Sequence, residues 1–179
     1  MLKIKGLFFL TNPFSMSIIS IHKYRKEPYM ASNSLEIERK FLLENDSWKI
    51  LSEKAVPIEQ YYFIDDNGVT CRVRKIGNDF LMTMKIKQTD VTSEEYEFSI
   101  PEAVYYEFKK RSSGGIEKIR HYISHNGKMW EVDVFGGKNE GLVLAEIELK
   151  SENEGIVLPE FIGVEVTDNM EYRNVNLSK

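Results

Sequence analysis

Like-charged residues recur two positions apart along most of this chain. In the segment LEIERKFL at residues 35–42, Glu36, Glu38 and Lys40 occupy alternate positions. Because side chains alternate between the two faces of a strand, these three charges share one face if the segment is a strand. A helix would spread them around its axis and leave them without a common site. The spacing therefore favours a strand.

Seven predicted strands carry such pairs, and each pair has a single sign. The basic pairs are Arg72/Arg74, Lys85/Lys87 and Lys118/Arg120, and the acidic pairs are Glu36/Glu38, Glu95/Glu97, Glu131/Asp133 and Glu146/Glu148. Apolar residues take the opposite parity. An alternative is a sandwich with charged outer faces, but such faces usually mix the two signs. A closed barrel brings acidic and basic strands together around one interior, while two helices cover the apolar outside.

Turn signals divide the chain into short alternating segments about 8 to 12 residues apart, a spacing typical of a barrel or sandwich of some eight strands. Asn67-Gly68 and Asn126-Gly127 predict hairpin turns. Pro57 is expected to end a first helix, so that the next strand begins at Gln60. The predicted helices cover residues 47–54 and 102–112, with short pieces after Ser151 and from Asp168.

Composition limits the classes of protein that this chain can represent. Its 179 residues, 42% hydrophobic and 29% charged, suit one globular domain. A net charge of −4 gives no overall basic field for nucleic acid. The single cysteine, Cys71, excludes an internal disulfide framework and a cysteine-based metal site, and it fits a reducing cytoplasmic compartment.

The N-terminal stretch differs from the rest of the chain. We predict that residues 1–33 are a disordered extension and that residues 34–179 form the domain. The apolar run at residues 6–10 is too short for a membrane span and lacks a cleavage site, so neither a signal peptide nor a membrane anchor is expected. Met30 reads as a natural start just before the first strand.

A barrel interior of this kind suits a particular chemistry. Arginine and lysine match phosphate oxygens, and clustered carboxylates hold hard divalent cations such as Mg²⁺ or Mn²⁺. The chain has no glycine-rich phosphate loop of the Walker type, so side chains have to provide the binding groups. The pattern indicates a site for a metal-bound polyphosphate.

The order of these segments resembles a known family. Glu36-Ile37-Glu38-Arg39-Lys40 matches the E-x-E-x-K signature of the CYTH superfamily, also called triphosphate tunnel metalloenzymes. Similar segments follow in the family's order, nearly to the C-terminus. They are Arg72-Val73-Arg74, Met82-Thr83-Met84-Lys85, Glu95-Tyr96-Glu97, Glu117-Lys118-Ile119-Arg120, Val132-Asp133-Val134-Phe135, Glu146-Ile147-Glu148, Glu165-Val166-Thr167 and Tyr172-Arg173-Asn174.

This resemblance implies a mainly β (α+β) fold, an eight-stranded antiparallel tunnel with helices packed outside. It also implies roles for the charged residues. The catalytic residues would be Lys40, Glu38 and Glu148. The triphosphate would be bound by Lys40, Arg72, Arg74, Lys85, Lys118 and Arg120, and Mg²⁺ or Mn²⁺ by Glu36, Glu38, Glu146, Glu148, Asp133, Glu95 and Glu97. Lys87 and Glu131 have no clear family counterpart, and Tyr62, Tyr172 and His121 are expected to be packing residues.

The short chain looks most like bacterial members that split inorganic tripolyphosphate into diphosphate and phosphate. The alternatives are a class IV adenylate cyclase, a nucleoside or thiamine triphosphatase, and a non-catalytic polyphosphate-binding module. The full set of carboxylates argues against the last, since binding alone needs the cations but hardly the metal ligands. The expected partner is a small-molecule triphosphate, with neither nucleic acid nor membrane, and a homodimer is left open.

Overall fold

The computed structural model describes residues 32–112 and 114–179. The predicted N-terminal extension therefore lies almost wholly outside the described residues. The first strand begins at Ser32, two residues before the predicted domain boundary. No helix in the described part of the chain is long and apolar enough to cross a membrane.

Nine strands and two short helices make up the described chain. The strands are β1 (Ser32–Leu43), β2 (Lys54–Asp66), β3 (Val69–Ile76), β4 (Asp79–Lys87), β5 (Thr92–Ser99), β6 (Gly115–His125), β7 (Lys128–Phe135), β8 (Val143–Glu148) and β9 (Ile162–Glu165). The helices are α1 (Glu102–Lys109) and α2 (Asn174–Leu177), and single 3₁₀ turns cover Ser47–Ile50, Gly137–Asn139 and Met170–Tyr172.

The first eight strands close into an antiparallel barrel, as predicted. Their order is β5-β4-β3-β2-β6-β7-β8-β1, and β1 pairs back with β5 to complete the ring. The first half of β1 pairs with β5, from Ser32 opposite Glu97 to Ile37 opposite Thr92. Its second half pairs with β8, and its end also pairs with the short strand β9. One long strand therefore closes the ring on both sides.

The outside of the barrel carries the larger apolar core. Ile37, Trp130 and Ile147 are buried there in one cluster, together with Trp48 and Phe161 from outside the barrel strands. On the opposite wall, α1 places the buried Tyr105 against Tyr61 and Phe80. Helix α1 thus covers the barrel as predicted. The rest of the cover comes from the turn at 47–50 and the irregular segment before β9.

A second apolar cluster lies at the lumen-facing positions of β6, β7 and β8. Ile116, Phe135 and Leu144 are buried there, and Tyr172 and Leu177 of the C-terminal segment pack against them. Helix α2 is therefore anchored at one end of the interior. The inward positions are charged over most of their length, and they become apolar where the chain's end packs onto them.

Two of the predicted helices are wrong. The helix expected at 47–54 is only a 3₁₀ turn, and β2 begins at Lys54, so that Pro57 lies inside a strand. Pro57 is tolerated because it lies opposite Gly77, just beyond the end of the ladder between β2 and β3. The Pro57 carbonyl accepts a hydrogen bond from the Gly77 N–H at 3.1 Å. Its missing N–H therefore costs no ladder bond. The piece expected after Ser151 is a turn.

The predicted hairpin turns are confirmed. Asn67 and Gly68 have φ angles of 48° and 77°, and Asn126 and Gly127 have 49° and 73°. Two successive positive φ angles match the twist of the flanking strands, and asparagine and glycine adopt them at low cost. The two turns fix the register of β2 with β3 and of β6 with β7.

We expect Ile147→Ala to lower the free energy of unfolding by about 2 to 5 kcal/mol, because it leaves a cavity in the outer core. Ile119 also points outward but is 47% exposed. Ile119→Ala is the matched control and should cost no more than about 0.5 kcal/mol. Urea unfolding followed by tryptophan fluorescence measures both. Equal losses in the two variants would contradict this description of the core.

Helix α1 is also tied to the barrel through Glu59. The Glu59 carboxylate accepts hydrogen bonds from Lys109 Nζ at 2.7 Å and from the Tyr105 hydroxyl at 3.1 Å. The hydrogen bond from Lys109 is the main cause that lowers the pKa of Glu59 below its ordinary value. The charged form of Glu59 is therefore favoured in the folded protein.

This pairing predicts a pH-dependent contribution to stability. A carboxylate whose pKa falls on folding stabilises the protein above its unfolded pKa, and the contribution is lost as pH drops through the folded pKa. Wild type should therefore have a higher free energy of unfolding than Glu59→Gln at pH 7, and this difference should disappear in acid. Urea unfolding at several pH values measures this, with the exposed Glu160→Gln as control. A difference in the free energy of unfolding that does not change with pH would contradict this prediction.

Candidate active site

The barrel encloses a cavity of about 730 Å³. The structure brings together the charged residues that the sequence singled out, because each of them lies at an inward-facing position of its strand. Those that line the cavity are Glu36, Glu38, Lys40, Arg72, Arg74, Lys85, Glu95, Glu97, Lys118, Arg120, Glu146 and Glu148. Asp133, the remaining predicted residue, lies buried directly behind Lys118 and Arg120.

Asp133 is held by two basic residues of the neighbouring strand. Arg120 donates to it through two nitrogens, Nε to Oδ1 and Nη2 to Oδ2, each at 2.7 Å, and Lys118 Nζ donates to Oδ2. Burial alone would raise the pKa of Asp133, but Arg120 and Lys118 together hold it below the ordinary value. Both oxygens are thus engaged by cations. The predicted role of Asp133 as a metal ligand stays a prediction. Its observed contacts hold the side chains of Lys118 and Arg120 in place.

Lys118 has an unusual environment for a lysine. Its side chain is almost completely buried, and burial together with the nearby charge of Arg120 lowers its pKa to about 8, against the opposing effect of Asp133. Lys118 therefore loses its proton more readily than an ordinary lysine. Its ammonium group is oriented by a carboxylate that solvent does not reach.

Glu146 joins two parts of the basic wall. It accepts from Arg120 Nη2 at 2.7 Å and from Lys40 Nζ, which also contacts Glu38. Burial opposes the charge on Glu146, yet Lys40, Lys118 and Arg120 hold its pKa well below the ordinary value. This carboxylate is therefore ionised, and Lys40 bridges two acidic residues of different strands.

The guanidinium groups of β3 are less completely paired. Arg74 contacts Glu97, and the nearest oxygen of Glu95 lies 3.8 Å from Arg72 and 3.9 Å from Arg74. The Nε atoms of both arginines are buried and have no hydrogen-bond partner within the described chain. Buried donors without partners are rare in folded proteins and suggest an absent ligand. An anion in the cavity is the natural acceptor.

The carboxylates Glu36, Glu38 and Glu148 occur on neighbouring inward positions of β1 and β8. Burial, and then the negative charge of Glu36, raise the pKa of Glu148 above its ordinary value. In the part of the chain that the structure covers, the side-chain carboxylate of Glu148 forms no hydrogen bond or ion pair. A carboxylate crowded by like charge gains most from a cation, so the donor set fits a hard divalent metal ion.

The carboxylates are not preassembled for coordination. Among the residues described, no three His, Cys, Asp or Glu side chains are already arranged around one point. The reason lies in the neighbouring lysines: Lys40 contacts Glu38, and Lys85 contacts Glu36. A metal ion at these carboxylates would have to replace the two ammonium groups.

Sequence reasoning missed several residues that line the cavity, including Gln60, Tyr122 and Asn174, and it undervalued Tyr62. The Tyr62 hydroxyl lies 3.2 Å from Arg72 Nη1 and 3.4 Å from Gln60 Nε2, which both donate to it. The period of two on β2 could have identified Gln60 and Tyr62 as inward-facing. The irregular C-terminal segment offers no such period. Lys87 and Glu131, left without a role, also line the cavity.

Known proteins share both this sequence pattern and this barrel. The CYTH domain family model matches residues 34–178. An inorganic triphosphatase of Acetivibrio thermocellus is 41% identical over 149 residues, which are 80% of this chain and 93% of that protein. One of Nitrosomonas europaea is 32% identical, covering 80% of this chain and 96% of that protein. A crystal structure of an inorganic triphosphatase, 31% identical, matches 84% of this chain and 97% of its own with a TM-score of 0.60. On the sequence match and the closed barrel together, this chain belongs to the CYTH domain family.

Proposed function

We propose that this protein hydrolyses inorganic tripolyphosphate to diphosphate and phosphate with the help of a divalent metal ion. The observation that supports this most directly is the pair of buried, unpartnered guanidinium Nε atoms of Arg72 and Arg74 inside the charged lumen. Two family members with 41% and 32% identity over most of their length are named inorganic triphosphatases.

The cations of the cavity supply the binding groups for the triphosphate. Arg72 and Arg74 present planar forks that match phosphate oxygens, and Lys85 and Lys40 add point charges. Lys118 and Arg120 are fixed from behind by Asp133 and need no rearrangement when an anion enters. Donors held in place before the reaction stabilise developing charge at little reorganisation cost.

The carboxylates Glu36, Glu38 and Glu148 are the groups that would hold Mg²⁺ or Mn²⁺, with Glu95, Glu97 and Glu146 nearby. When bound, a divalent ion supplies charge neutralisation at the phosphoryl oxygens and an acidified water. Membership of a family of metalloenzymes and the crowding around Glu148 support this assignment.

Substrate and metal binding are linked through Lys40 and Lys85. In the free protein these lysines neutralise Glu38 and Glu36. Phosphate oxygens that attract the two ammonium groups release both carboxylates, which can then accept the metal ion. Each lysine thus exchanges a carboxylate for a phosphate.

The reaction is an in-line attack of water on a terminal phosphorus. The P–O bond to the bridging oxygen breaks, diphosphate leaves with the bonding electron pair, and the proton of water is lost to solvent or to a carboxylate. Lys40, Arg72 and Arg74 stabilise the negative charge on the leaving diphosphate. Positioning and electrostatics account for catalysis, as is typical of phosphoryl transfer.

Substrate identity is tested with purified protein in Mg²⁺ or Mn²⁺. Tripolyphosphate, ATP and thiamine triphosphate are offered separately, and phosphate and cyclic AMP are measured. We expect phosphate release with the highest kcat/KM on tripolyphosphate and no cyclic AMP. Cyclic AMP from ATP would instead indicate a cyclase, and no turnover of any triphosphate would indicate a binding module.

Two variants separate the metal site from the phosphate site. Glu148→Gln keeps the shape of the side chain but removes its charge, so kcat should collapse and excess Mn²⁺ should restore part of it by mass action. Arg74→Ala should lose roughly 2 to 4 kcal/mol in kcat/KM, about the loss for one preorganised donor, with no rescue by Mn²⁺.

The control for both is Glu107→Gln on the exposed surface of α1, which should behave as wild type. Steady-state kinetics over a series of Mn²⁺ concentrations distinguish the two classes. Near wild-type turnover in both variants would mean that the reaction occurs elsewhere or that the protein is not an enzyme.

A further inference from the structure

Glu97 lies at one end of the acidic row on β5. Thr83 of β4 is opposite it in the sheet, and Glu95 occupies the inward position before it. Farther back along β5, Ser93 is the residue opposite Glu36 of β1. Glu97 is four residues beyond Ser93, which corresponds to about 13 Å at about 3.3 Å per residue. Along this strand, Glu97 is therefore the carboxylate that lies farther from the proposed metal-binding residues.

The side-chain contacts of Glu97 are with one arginine and one buried threonine. Its Oε2 atom accepts a hydrogen bond from Arg74 Nη2, and Thr83 Oγ1 donates to the same oxygen at 3.4 Å. Thr83 is only 1% exposed. Within the described chain, no other side chain forms a hydrogen bond or an ion pair with Glu97. Its carboxylate is therefore held between Arg74 and the wall of the barrel.

The ion pair between Arg74 and Glu97 spans a whole strand. Arg74 belongs to β3, and the residue opposite it on β4 is Leu81. Glu97 belongs to β5, and the residue opposite it on β4 is Thr83. The pair therefore crosses β4 diagonally, beside the small side chain of Thr83. A guanidinium group that is held across a neighbouring strand has its direction set by the carboxylate at the far end.

The contact with Glu97 occupies only part of the Arg74 guanidinium. This group carries five N–H donors. Among the described residues, Nη2 is the one nitrogen of Arg74 that forms a hydrogen bond, and the buried Nε has no partner. Arg74 also lines the cavity. Glu97 can therefore keep hold of Arg74 while the remaining donors bind a phosphate.

Arg74 has a physical need for such a partner. Arg72 occupies the next inward position of β3, and the two side chains are only 9% and 13% exposed. Two like charges on one face of a strand repel each other, and little solvent is present to screen them. A free arginine side chain also loses rotamer freedom when it binds a ligand, whereas one that is already held in place loses less.

We propose that Glu97 is a positioning residue, which holds the Arg74 guanidinium in the orientation that binds the triphosphate and is not a ligand of the metal ion. This inference rests on the proposed binding of a triphosphate in the cavity. It gives Glu97 a different role from the metal ligand that the family resemblance implies. Glu97 acts on Arg74 as Asp133 acts on Arg120, from the other side of the lumen.

Three roles for Glu97 predict different binding of tripolyphosphate in the absence of metal. If Glu97 positions Arg74, neutralising Glu97 weakens the binding. If Glu97 instead competes with the ligand for Arg74, neutralising it strengthens the binding. If Glu97 serves only as a metal ligand, its neutralisation removes a negative charge from the cavity and again weakens nothing. The sign of the change therefore separates the first role from the other two.

The test is calorimetric titration of metal-free protein with sodium tripolyphosphate at about 0.15 M salt, where charges beyond about 8 Å are screened. Glu97→Gln removes the charge and keeps the shape, and Glu97→Asp keeps the charge but withdraws it by one methylene group. The control is Glu94→Gln on the outward face of the same strand. Glu94 accepts a hydrogen bond from the Tyr96 hydroxyl and is not among the residues that line the cavity.

We expect the Kd for tripolyphosphate to rise about threefold to tenfold in both Glu97 variants, which is part of the cost of losing one charge-assisted hydrogen bond. Glu94→Gln should bind as wild type does. Unchanged or tighter binding in Glu97→Gln would overturn the proposal. Wild-type affinity in Glu97→Asp would do the same, because it would show that the position of the carboxylate does not matter.

The effect of a positioning residue has to depend on the residue that it positions. Arg74→Ala alone should raise the Kd about tenfold or more. Arg74→Ala/Glu97→Gln should bind tripolyphosphate no more weakly than Arg74→Ala, since no guanidinium is left to orient. A further loss in this double variant would indicate a general effect on the cavity and would contradict the proposed role.

A kinetic readout separates positioning from metal binding. Hydrolysis of tripolyphosphate is measured over a series of Mn²⁺ concentrations. Glu97→Gln should raise KM severalfold and change the Mn²⁺ concentration at half-maximal rate by less than about twofold, with no rescue by excess Mn²⁺. A metal ligand would behave as expected for Glu148→Gln, and a matching shift in the Mn²⁺ requirement of Glu97→Gln would overturn the proposal.

The proposed function and the role of Glu97 can fail separately. If wild type hydrolyses tripolyphosphate and Glu97→Gln binds it as wild type does, the positioning role is wrong and the proposed function stands. If wild type binds tripolyphosphate without hydrolysing it, the enzymatic proposal fails and the binding measurements alone decide the role of Glu97. A wild type that binds no tripolyphosphate would overturn both. Thermal melts confirm that each variant is folded.

Discussion

The barrel can enclose so many charges because its buried cations find carboxylates on other strands. Arg120 of β6 is surrounded by Glu131 and Asp133 of β7 and by Glu146 of β8. Isolated charges in such a place would be expelled or neutralised, since desolvation costs several kcal/mol for each ion. Mutual neutralisation across strands lets the fold keep them ionised. The same arrangement leaves a lumen that exchanges one anion for another at modest cost.

The charge network holds the cations of the cavity in two different ways. Asp133 is fully buried and fixes Lys118 and Arg120 from behind. Lys40 and Lys85 are held by carboxylates that face the cavity and are available to a metal ion. A ligand can therefore rearrange the second set while the first set stays in place. The proposed coupling between polyanion binding and metal binding therefore requires only that side chains rearrange.

Much of this site could be predicted because a barrel strand has a strict period of two. Once Glu36 and Glu38 were placed inward, parity alone put Arg72, Lys85 and Glu146 in the same lumen. The contacts between strands could not be predicted, since the choice of Asp133 as partner of Arg120 depends on the register of β6 with β7. The helix expected before Pro57 failed because tertiary pairing overrode local propensity. Arg173 and Asn174 were missed as cavity-lining residues because their segment is irregular and is placed by tertiary contacts such as the packing of Tyr172.

Strand β1 closes the barrel and also carries residues of the candidate site, and it is synthesised before the strands with which it pairs. It lies at the beginning of the described chain, yet Lys40 pairs with Glu146, 106 residues later. During synthesis on the ribosome the ring cannot close until β8 has emerged, so the second half of β1, which pairs with β8, stays unpaired until then. Exposed edges invite pairing with other chains. The alternating charges of β1 oppose such pairing, so the residues proposed to bind metal and phosphate in the finished barrel also protect the nascent chain from aggregation.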